Sequence, residues 1–329
     1  MISLSKKDVG LPVTCFQSLL RRSAMLPCVL AILCGSVSLA QASTRLVTHA
    51  MGQTQVPLQA QRVVTLFQGA TDSVVALGIR PVGVVDAWSG QPTYPYLRQA
   101  LYGVTHLGLE TQPNLEQIVA LKPDLIIGSR FRHEKIYPQL QQIAPTVLTD
   151  NVYDFQRTLE LTGAATGRDA KAKALWQQWQ QKIAAFRLRL QSRVADWPLT
   201  ASVLDVRADH LRLYLQHSFA GQVLTSIGFA LPTVKSAGWG IKIKTKESLP
   251  AANADVFFVI KDSDQSAVAH NYDVWRSHPI WKVLKAPRRN QVYEVNKITW
   301  LLSGGILGAN LMLDQLAEVY RPAAEQGEQ

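Results

Sequence analysis

Apolar residues in the first half of the chain occur in short continuous runs that alternate with helical patterns. A run over 63–67 is followed by a predicted helix over 70–77, which Gly78 closes, and then by a second run over 82–85. Runs that are apolar throughout, without alternation, are typical of parallel strands whose two faces are both covered by helices. This part of the chain therefore predicts a parallel α/β unit.

The stretch QPNLEQIVALKPDLIIGSRFRH, residues 112–133, adds a further helix and strand to this unit. Asn114 is predicted to cap a helix, with Gln117 three positions later as in a capping box. Lys122 and Pro123 end that helix, because proline disfavours a helical conformation in the residue before it. The run DLIIG, residues 124–128, is then predicted to form a strand.

The same order of elements returns in the second half of the chain. A predicted strand over 201–206 is followed by helices over 219–228 and 246–253 and by a strand over 254–261. The segments VVALGIRPV and VLTSIGFALPTV, like ALKPDLIIGS and AANADVFFVIK, form a degenerate internal repeat. The repeat predicts an α/β fold of two similar three-layer lobes with mainly parallel sheets.

The segment between the repeats, residues 154–194, is rich in helix formers and is predicted to be one long rigid helix that joins the lobes. We interpret its apolar stripe as a packing face, formed by Leu175, Trp179, Ile183, Phe186 and Leu190. The predicted domains are a signal peptide at 1–42, an N-terminal lobe at 43–153, this linker helix, a C-terminal lobe at 195–322 and a flexible tail at 323–329.

The N-terminus has the anatomy of a secretory signal: basic residues, an apolar run over 25–39 and the small-residue motif Ala40-Gln-Ala42. Cleavage is predicted after Ala42, which places the mature protein in the periplasm. A membrane anchor is the alternative, but the apolar run is short for a bilayer and is broken by proline and glycine. Lipid attachment at Cys34 is disfavoured because Leu33 precedes it, where a small residue is needed.

Composition excludes several classes of chemistry. All three cysteines, at 15, 28 and 34, precede the predicted cut, so the mature chain has no disulfide, thiolate metal site or cysteine nucleophile. Removal of four basic residues and one acidic residue lowers the formal charge from +10 to +7. The net charge favours acidic partners, but the charges are scattered, so we interpret them as solvated surface and not as a site for nucleic acid or membrane headgroups. We expect a monomer.

Motifs for catalysis or for a resident cofactor are missing from the sequence. It has no G-x-S-x-G elbow, P-loop or G-x-G-x-x-G, and the seven histidines contain no i, i+4 pair for a metal. The glycines of SGGILGAN, residues 303–310, are interpreted as a tight turn that begins a helix. We therefore expect no enzyme activity, no cofactor and no directly bound metal.

Arginines and aromatic residues follow the predicted strands, at the edge where parallel α/β sheets bind ligands. Guanidinium groups donate forked hydrogen bonds to carboxylates, and aromatic faces cover apolar parts of a ligand, so this mixture favours a large anionic ligand rich in oxygen. Solvated surface is the alternative for each arginine, and core packing for each aromatic residue. The candidates are Phe67, Gln68, Trp88, Arg130 and Arg132 in the first lobe and Arg207, Tyr214, Trp239 and Trp300 in the second.

These motifs resemble the iron-siderophore and vitamin B12 family of periplasmic substrate-binding proteins that serve ABC importers. The resemblance covers about residues 45–320, and its most specific segment is LGLETQPNLEQIVALKPDLIIGSRFRHEKIYPQLQQIAP. Within it, SRFRHEKIYPQLQQIAP is similar to the arginine-histidine loop of the ferric dicitrate binders, with Arg132 and His133 at matching positions.

The resemblance implies two lobes bridged by a rigid helix, with small lobe movements and an iron(III) chelate, ferric citrate or another siderophore, held in the cleft. Iron is then coordinated by its chelator. The family also docks on an inner-membrane permease dimer through an acidic residue on each lobe. Asp72 takes the first of these positions, whereas Gln222 stands at the second, and Glu247 is a neighbouring acid.

Two other functions are left open by the residues. A haem or corrinoid binder would need an axial ligand at the cleft, for which Tyr214 and His133 are the candidates. An exported hydrolase that acts on the chelate would use Asp205 or Asp86 as a base.

Overall fold

The computed structural model describes residues 43–236, 238–261 and 265–321. The predicted signal peptide and the predicted tail at 323–329 lie outside these residues, so both stay predictions.

The first half of the described chain contains a hairpin, a five-stranded sheet and a small two-stranded sheet. Its strands are β1 (Thr44–His49), β2 (Gly52–Pro57), β3 (Val63–Thr65), β4 (Gly83–Val84), β5 (Thr105–His106), β6 (Gly108–Leu109), β7 (Gln112–Pro113), β8 (Leu125–Ser129) and β9 (Thr146–Thr149). The five-stranded sheet has the order β5-β4-β3-β8-β9, and all its pairs are parallel. The predicted parallel sheet is confirmed.

The second half repeats this plan with one variation. Its strands are β10 (Ala201–Val206), β11 (Leu211–Tyr214), β12 (Gly240–Ile243), β13 (Val256–Ile260) and β14 (Val292–Val295). They form a sheet in the order β12-β11-β10-β13-β14, in which β10, β13 and β14 are parallel and β11 and β12 pair antiparallel. Two strands that pair antiparallel, β11 and β12, therefore replace the parallel strands at one edge of the repeat.

Helices cover the sheets. They are α1 (Gln68–Ala76), α2 (Leu115–Ala120), α3 (Arg130–His133), α4 (Tyr137–Ile143), α5 (Phe155–Thr166), α6 (Asp169–Arg193), α7 (Phe219–Ile227), α8 (Ser266–Ser277), α9 (Pro279–Val283), α10 (Lys285–Arg288) and α11 (Ile306–Val319). Short 3-10 turns cover Pro95–Leu97, Glu134–Ile136 and Lys246–Ala252, and a π-helical turn covers Ile298–Leu302.

Local capping chemistry explains where several helices begin. The Asn114 side chain accepts a hydrogen bond from the backbone N–H of Gln117, as the capping box predicts. Asp154 and Ser218 cap α5 and α7 in the same way. The predicted helix over 246–253 is corrected to a 3-10 turn, because Pro250 lies inside it and cannot donate a helical hydrogen bond.

The predicted linker helix over 154–194 is two helices. Gly167 adopts a left-handed conformation, with φ of 74°, and ends α5 before α6 begins. The predicted packing face of α6 is confirmed: Trp179, Ile183, Phe186 and Leu190 are buried, and Leu175 packs against the same cluster.

One apolar cluster crosses the boundary between the halves of the chain. It joins Leu77 and Phe155 of the first half to α6 and to Val203 and Phe258 of the second sheet. The lobes are thus held together by a continuous core as well as by the covalent linker, which agrees with a rigid two-lobe protein.

Candidate functional site

A cavity of about 350 Å³ lies beyond the carboxyl ends of strands from both sheets. It receives residues that follow β3, β8, β9, β10 and β14, so its two sides come from the two halves of the chain. Its lining comprises Phe67, Gln68, Gly69, Trp88, Glu110, Arg132, Val152, Tyr153, Arg207, Tyr214, Trp239, Lys297, Leu301, Leu302 and Gly304.

On the N-terminal side, the cavity is built around an arginine that is paired with a buried carboxylate. Arg132 Nε donates to Glu110 Oε1 at 3.0 Å, and Trp88 Nε1 donates to Glu110 Oε2 at 3.1 Å. The Glu110 side chain is only 4% exposed, whereas Arg132 is 26% exposed. The Arg132 guanidinium also lies 5.6 Å from the centre of the Trp88 ring. Glu110 thus fixes the Arg132 and Trp88 side chains through hydrogen bonds.

On the C-terminal side, the same combination recurs with different residues. Arg207 Nη2 lies 2.6 Å from Asp205 Oδ2, which also accepts from the Tyr214 hydroxyl at 3.2 Å. The Asp205 side chain is 3% exposed. Arg207 Nε is buried and has no hydrogen-bond partner among the described residues. This donor is enclosed by protein atoms, although the Arg207 side chain as a whole is 42% exposed.

Burial opposes the negative charge of both carboxylates. It raises the pKa of Glu110, and the nearby Arg132 and the Trp88 hydrogen bond counteract part of that increase. Burial likewise raises the pKa of Asp205, and Arg207 counteracts it. Each carboxylate therefore depends on its arginine to remain ionised inside the protein.

An aromatic wall closes the cavity beside Arg207. The Trp239 ring lies 5.6 Å from the Tyr153 ring and 5.7 Å from the Tyr214 ring, and the Arg212 guanidinium is 4.7 Å from its centre. This wall offers flat apolar faces next to cationic donors, which suits a ligand with both apolar and anionic parts.

A close contact between backbones forms another part of the cavity. A Cβ atom at Gly69 would lie 2.4 Å from the carbonyl oxygen of Gly304, so the start of α1 touches the turn before α11 directly. Gln68 is fixed beside this contact, because its amide donates to the carbonyl oxygens of Val85 and Asp86.

The structure brings together seven of the nine candidate residues at this cavity and places two elsewhere. Arg130 is 45% exposed and lies 2.9 Å from Asp150, outside the cavity lining. Trp300 is fully buried, donates to Gln315 Oε1 at 2.7 Å and packs against Phe258. The prediction that Trp300 faces the cavity is thus wrong, because the π-helical turn directs its indole into the core.

Three polar lining residues were missed by the sequence analysis. Tyr153 follows β9, a strand that the sequence analysis did not identify, and Lys297 is closer to the end of β14 than Trp300 is. A complete list of residues after strands would have included both. Glu110 directly follows the short strand β6, which was not predicted from the sequence, and the burial of its side chain leaves no pattern in the sequence.

The predicted docking position Asp72 is corrected by its burial. Its side chain is fully buried and accepts from the backbone N–H groups of Leu307 and Gly308, at 2.9 and 3.0 Å, and from the Tyr96 hydroxyl. Asp72 therefore caps α11 and cannot meet a permease. Gln222 is partly exposed, and its amide donates to the Tyr153 carbonyl oxygen at 3.1 Å.

His133 is buried beneath the cavity, where both ring nitrogens are engaged. Nδ1 accepts from the backbone N–H of Ser129 at 3.1 Å, and Nε2 lies 2.9 Å from the Glu110 carbonyl oxygen. Burial lowers the pKa of His133 to about 4, so the imidazole is neutral at neutral pH. It supports the backbone of Glu110 and does not line the cavity.

The described residues contain neither a helix suited to span a membrane nor a cluster of metal-binding side chains. No helix within 43–236, 238–261 and 265–321 is long and apolar enough to cross a membrane. In the same residues, no group of three or more histidine, cysteine or acidic side chains is placed to hold a metal ion.

The protein is similar to iron-chelate binders in sequence and structure. It is 54% identical to the achromobactin-binding periplasmic protein of Dickeya dadantii, over 79% of this chain and 86% of that protein. It is 29% identical to the Fe(3+) dicitrate-binding periplasmic protein FecB of Escherichia coli, over 79% and 85%. The crystal structure of Staphylococcus aureus SirA with staphyloferrin B aligns with a TM-score of 0.80 and 40% identity, over 84% and 98%.

The sequence pattern of one family covers most of both lobes. The pattern described as "Periplasmic binding protein" matches residues 63–299, which include β3, β14 and the strands between them. Together with the relatives above, this match shows that the chain belongs to the periplasmic binding protein family whose members include siderophore and ferric citrate binders.

Proposed function

We propose that this protein binds an anionic iron(III) chelate in the cavity between its lobes and delivers it to the permease of an ABC importer. The observation that carries the proposal is the pair of arginines, Arg132 and Arg207, which reach one cavity from opposite halves of the chain. The related proteins named for achromobactin, dicitrate and staphyloferrin B support the same class of ligand.

The charge of the cavity fits an anionic chelate. Arg132, Arg207 and Lys297 face two buried carboxylates, so this group of side chains has a formal charge of +1. Guanidinium groups suit carboxylate oxygens that remain at the rim of a chelate, while Trp88 and Trp239 cover its apolar parts. The chelator coordinates the iron, and the protein recognises the outer surface of the complex.

Haem is disfavoured by the same geometry. The two axial candidates are occupied: Tyr214 donates to Asp205, and both nitrogens of His133 are engaged beneath the cavity. A metalloporphyrin would have to break one of these buried contacts to gain an axial ligand.

Delivery to a permease takes place outside the cytoplasm, where the periplasmic and lipoprotein relatives act. Glu116 and Glu247 fit the acidic docking positions that Asp72 and Gln222 do not. Both are exposed. Glu116 lies eight positions before Asp124, which directly precedes β8, and Glu247 lies eight positions before Asp255, which directly precedes the corresponding strand β13. The two lobes thus present one carboxylate each at equivalent positions.

The test is a titration of residues 43–329 with ferric citrate, a ferric hydroxamate and a ferric catecholate, in which tryptophan fluorescence is the signal for binding. Iron-free chelators are the controls. Saturable quenching by ferric citrate, which Trp88→Phe and Trp239→Phe reduce, is the expected result. If none of the ferric chelates changes the fluorescence or the melting temperature, iron-chelate binding is rejected, and a haemin titration with a Soret band then tests the alternative.

A further inference from the structure

Each arginine of the cavity belongs to a three-residue unit in which a buried carboxylate holds both the arginine and an aromatic hydrogen-bond donor. Arg132, Glu110 and Trp88 form the first unit, with hydrogen bonds of 3.0 and 3.1 Å. The second consists of Arg207, Asp205 and Tyr214, with contacts of 2.6 and 3.2 Å. In both units the arginine and the aromatic residue line the cavity, whereas the carboxylate is at least 95% buried.

The symmetry of the fold does not account for this recurrence. Arg132 follows β8, whose counterpart in the second sheet is β13, but Arg207 follows β10, whose counterpart is β3. The first residue after β13 is Lys261, which corresponds to Arg130 and pairs with the exposed Glu294. The two units therefore occupy non-equivalent positions of the repeat and meet only at the cavity.

Units of this kind contribute little to the stability of the fold. Burial of a carboxylate carries a desolvation penalty, and an ion pair in such a place contributes little net stability compared with apolar packing. A buried carboxylate does, however, fix the orientation of the arginine that it binds. It fixes one edge of a planar guanidinium, so the remaining N–H donors point along a defined line.

The geometry identifies the donors that remain. Glu110 occupies the Nε of Arg132, which leaves both terminal nitrogens of that guanidinium for a ligand. Asp205 occupies Nη2 of Arg207, and Nε is buried, which leaves Nη1 as the donor for a ligand. Two arginines that are held by different edges thus present different faces to the same cavity.

We infer that Glu110 and Asp205 are positioning residues that orient Arg132 and Arg207 for the carboxylates of the ligand and make the site selective for carboxylate-bearing chelates. They act through the arginines: Glu110 reaches the cavity lining, but both its carboxylate oxygens are engaged by Arg132 and Trp88. The inference deepens the proposed function and rests on it.

A double-mutant cycle on residues 43–329, titrated with ferric citrate, tests this role. Glu110→Ala and Arg132→Ala are each expected to weaken binding by about tenfold to a hundredfold, the range for a charge-assisted hydrogen bond. If Glu110 acts through Arg132, the double variant binds no more weakly than Arg132→Ala alone. Asp205→Ala and Arg207→Ala form the second cycle, with the same expectation.

Conservative and matched variants separate orientation from folding. In a Trp88→Phe background, where no indole N–H needs the second oxygen, Glu110→Gln keeps an oxygen that accepts from Arg132 Nε, so its affinity is expected to stay within about threefold of Trp88→Phe alone. Asp150→Ala removes the partner of Arg130 on the exposed surface, outside the cavity, and is expected to leave the affinity unchanged. Melting temperatures without ligand show whether a variant is folded.

The outcomes are distinguishable. Parent protein that binds no ferric chelate rejects the proposed function and this inference together. Parent protein that binds ferric citrate, with losses in the cycle that add or with unchanged affinity in Glu110→Ala, overturns the inference alone. Equal losses in Glu110→Ala and Glu110→Gln, both made in the Trp88→Phe background, would also overturn it, because an acceptor at that position would then not suffice to orient Arg132.

Discussion

Replacement of Asp72 by alanine removes the acceptor of three buried or half-buried donors. The backbone N–H groups of Leu307 and Gly308 and the hydroxyl of Tyr96 lose their partner together. Each unsatisfied donor costs about 1 to 3 kcal/mol, and the lower value gives a loss of about 3 kcal/mol in the free energy of unfolding. The same change uncaps the N-terminus of α11.

The pH dependence of this loss follows from the burial of the carboxyl group. Burial raises the pKa of Asp72 from 3.8 to about 6, although the three hydrogen bonds lower it in part. The folded protein therefore binds more protons than the unfolded chain between these values, and its stability falls as the pH rises. Between about pH 5 and pH 7.5 this contribution decreases by about 1.4 kcal/mol.

Alanine has no such proton linkage, so the difference between parent and variant is expected to shrink with pH. It should be about 3 kcal/mol near pH 5 and about 2 kcal/mol near pH 7.5. This difference is measured by urea unfolding at pH 5 and pH 7.5, with tryptophan fluorescence as the signal. Gln222→Ala is a control that removes no titrating group. A loss that is equal at both pH values, or larger at the higher one, would refute the raised pKa. No loss at either pH would refute the cap.

Three further predictions concern the cavity and the docking surface. Arg132→Ala is expected to weaken ferric citrate binding by about 1 to 3 kcal/mol by calorimetry, while Arg130→Ala, whose side chain lies outside the cavity, leaves it unchanged; equal effects would contradict the placement of the two arginines. Gly69→Ala puts a Cβ atom 2.4 Å from a backbone oxygen and is expected to lower stability by about 1 to 3 kcal/mol, whereas Gly238→Ala, with its nearest neighbour at 3.6 Å, leaves the melting temperature unchanged. Glu116→Ala with Glu247→Ala is expected to keep the chelate affinity and abolish stimulation of the permease ATPase; full stimulation would show that docking uses other residues.

The parts of the fold that local chemistry decides could be predicted from the sequence. The strand over 201–206 has the predicted bounds, and the cap at Asn114 forms as its spacing indicates. Both depend on residues close in the chain, where hydrophobic pattern and side-chain oxygens determine the conformation. Parallel α/β sheets bind ligands beyond the carboxyl ends of their strands, and this rule placed seven of the nine candidate residues at the cavity.

The direction of individual side chains could not be predicted in this way. Arg130 and Arg132 follow the same strand, yet one pairs with Asp150 at the surface and the other with buried Glu110. The burial of Asp72 depends on backbone groups 235 and 236 positions away in the chain. A pattern of neighbouring residues does not record contacts of that range.

The antiparallel edge strands β11 and β12 have a consequence for how binding proteins of this kind diversify. Tyr214 lies on β11, Trp239 directly precedes β12, and Arg212 of β11 packs on the Trp239 ring, so much of one cavity wall is carried by strands at the free edge of the sheet. Strands at an edge can change in length or sequence between relatives without shifting the register of β10, β13 and β14. Ligand preference is then free to change within a lineage while the parallel scaffold stays as it is.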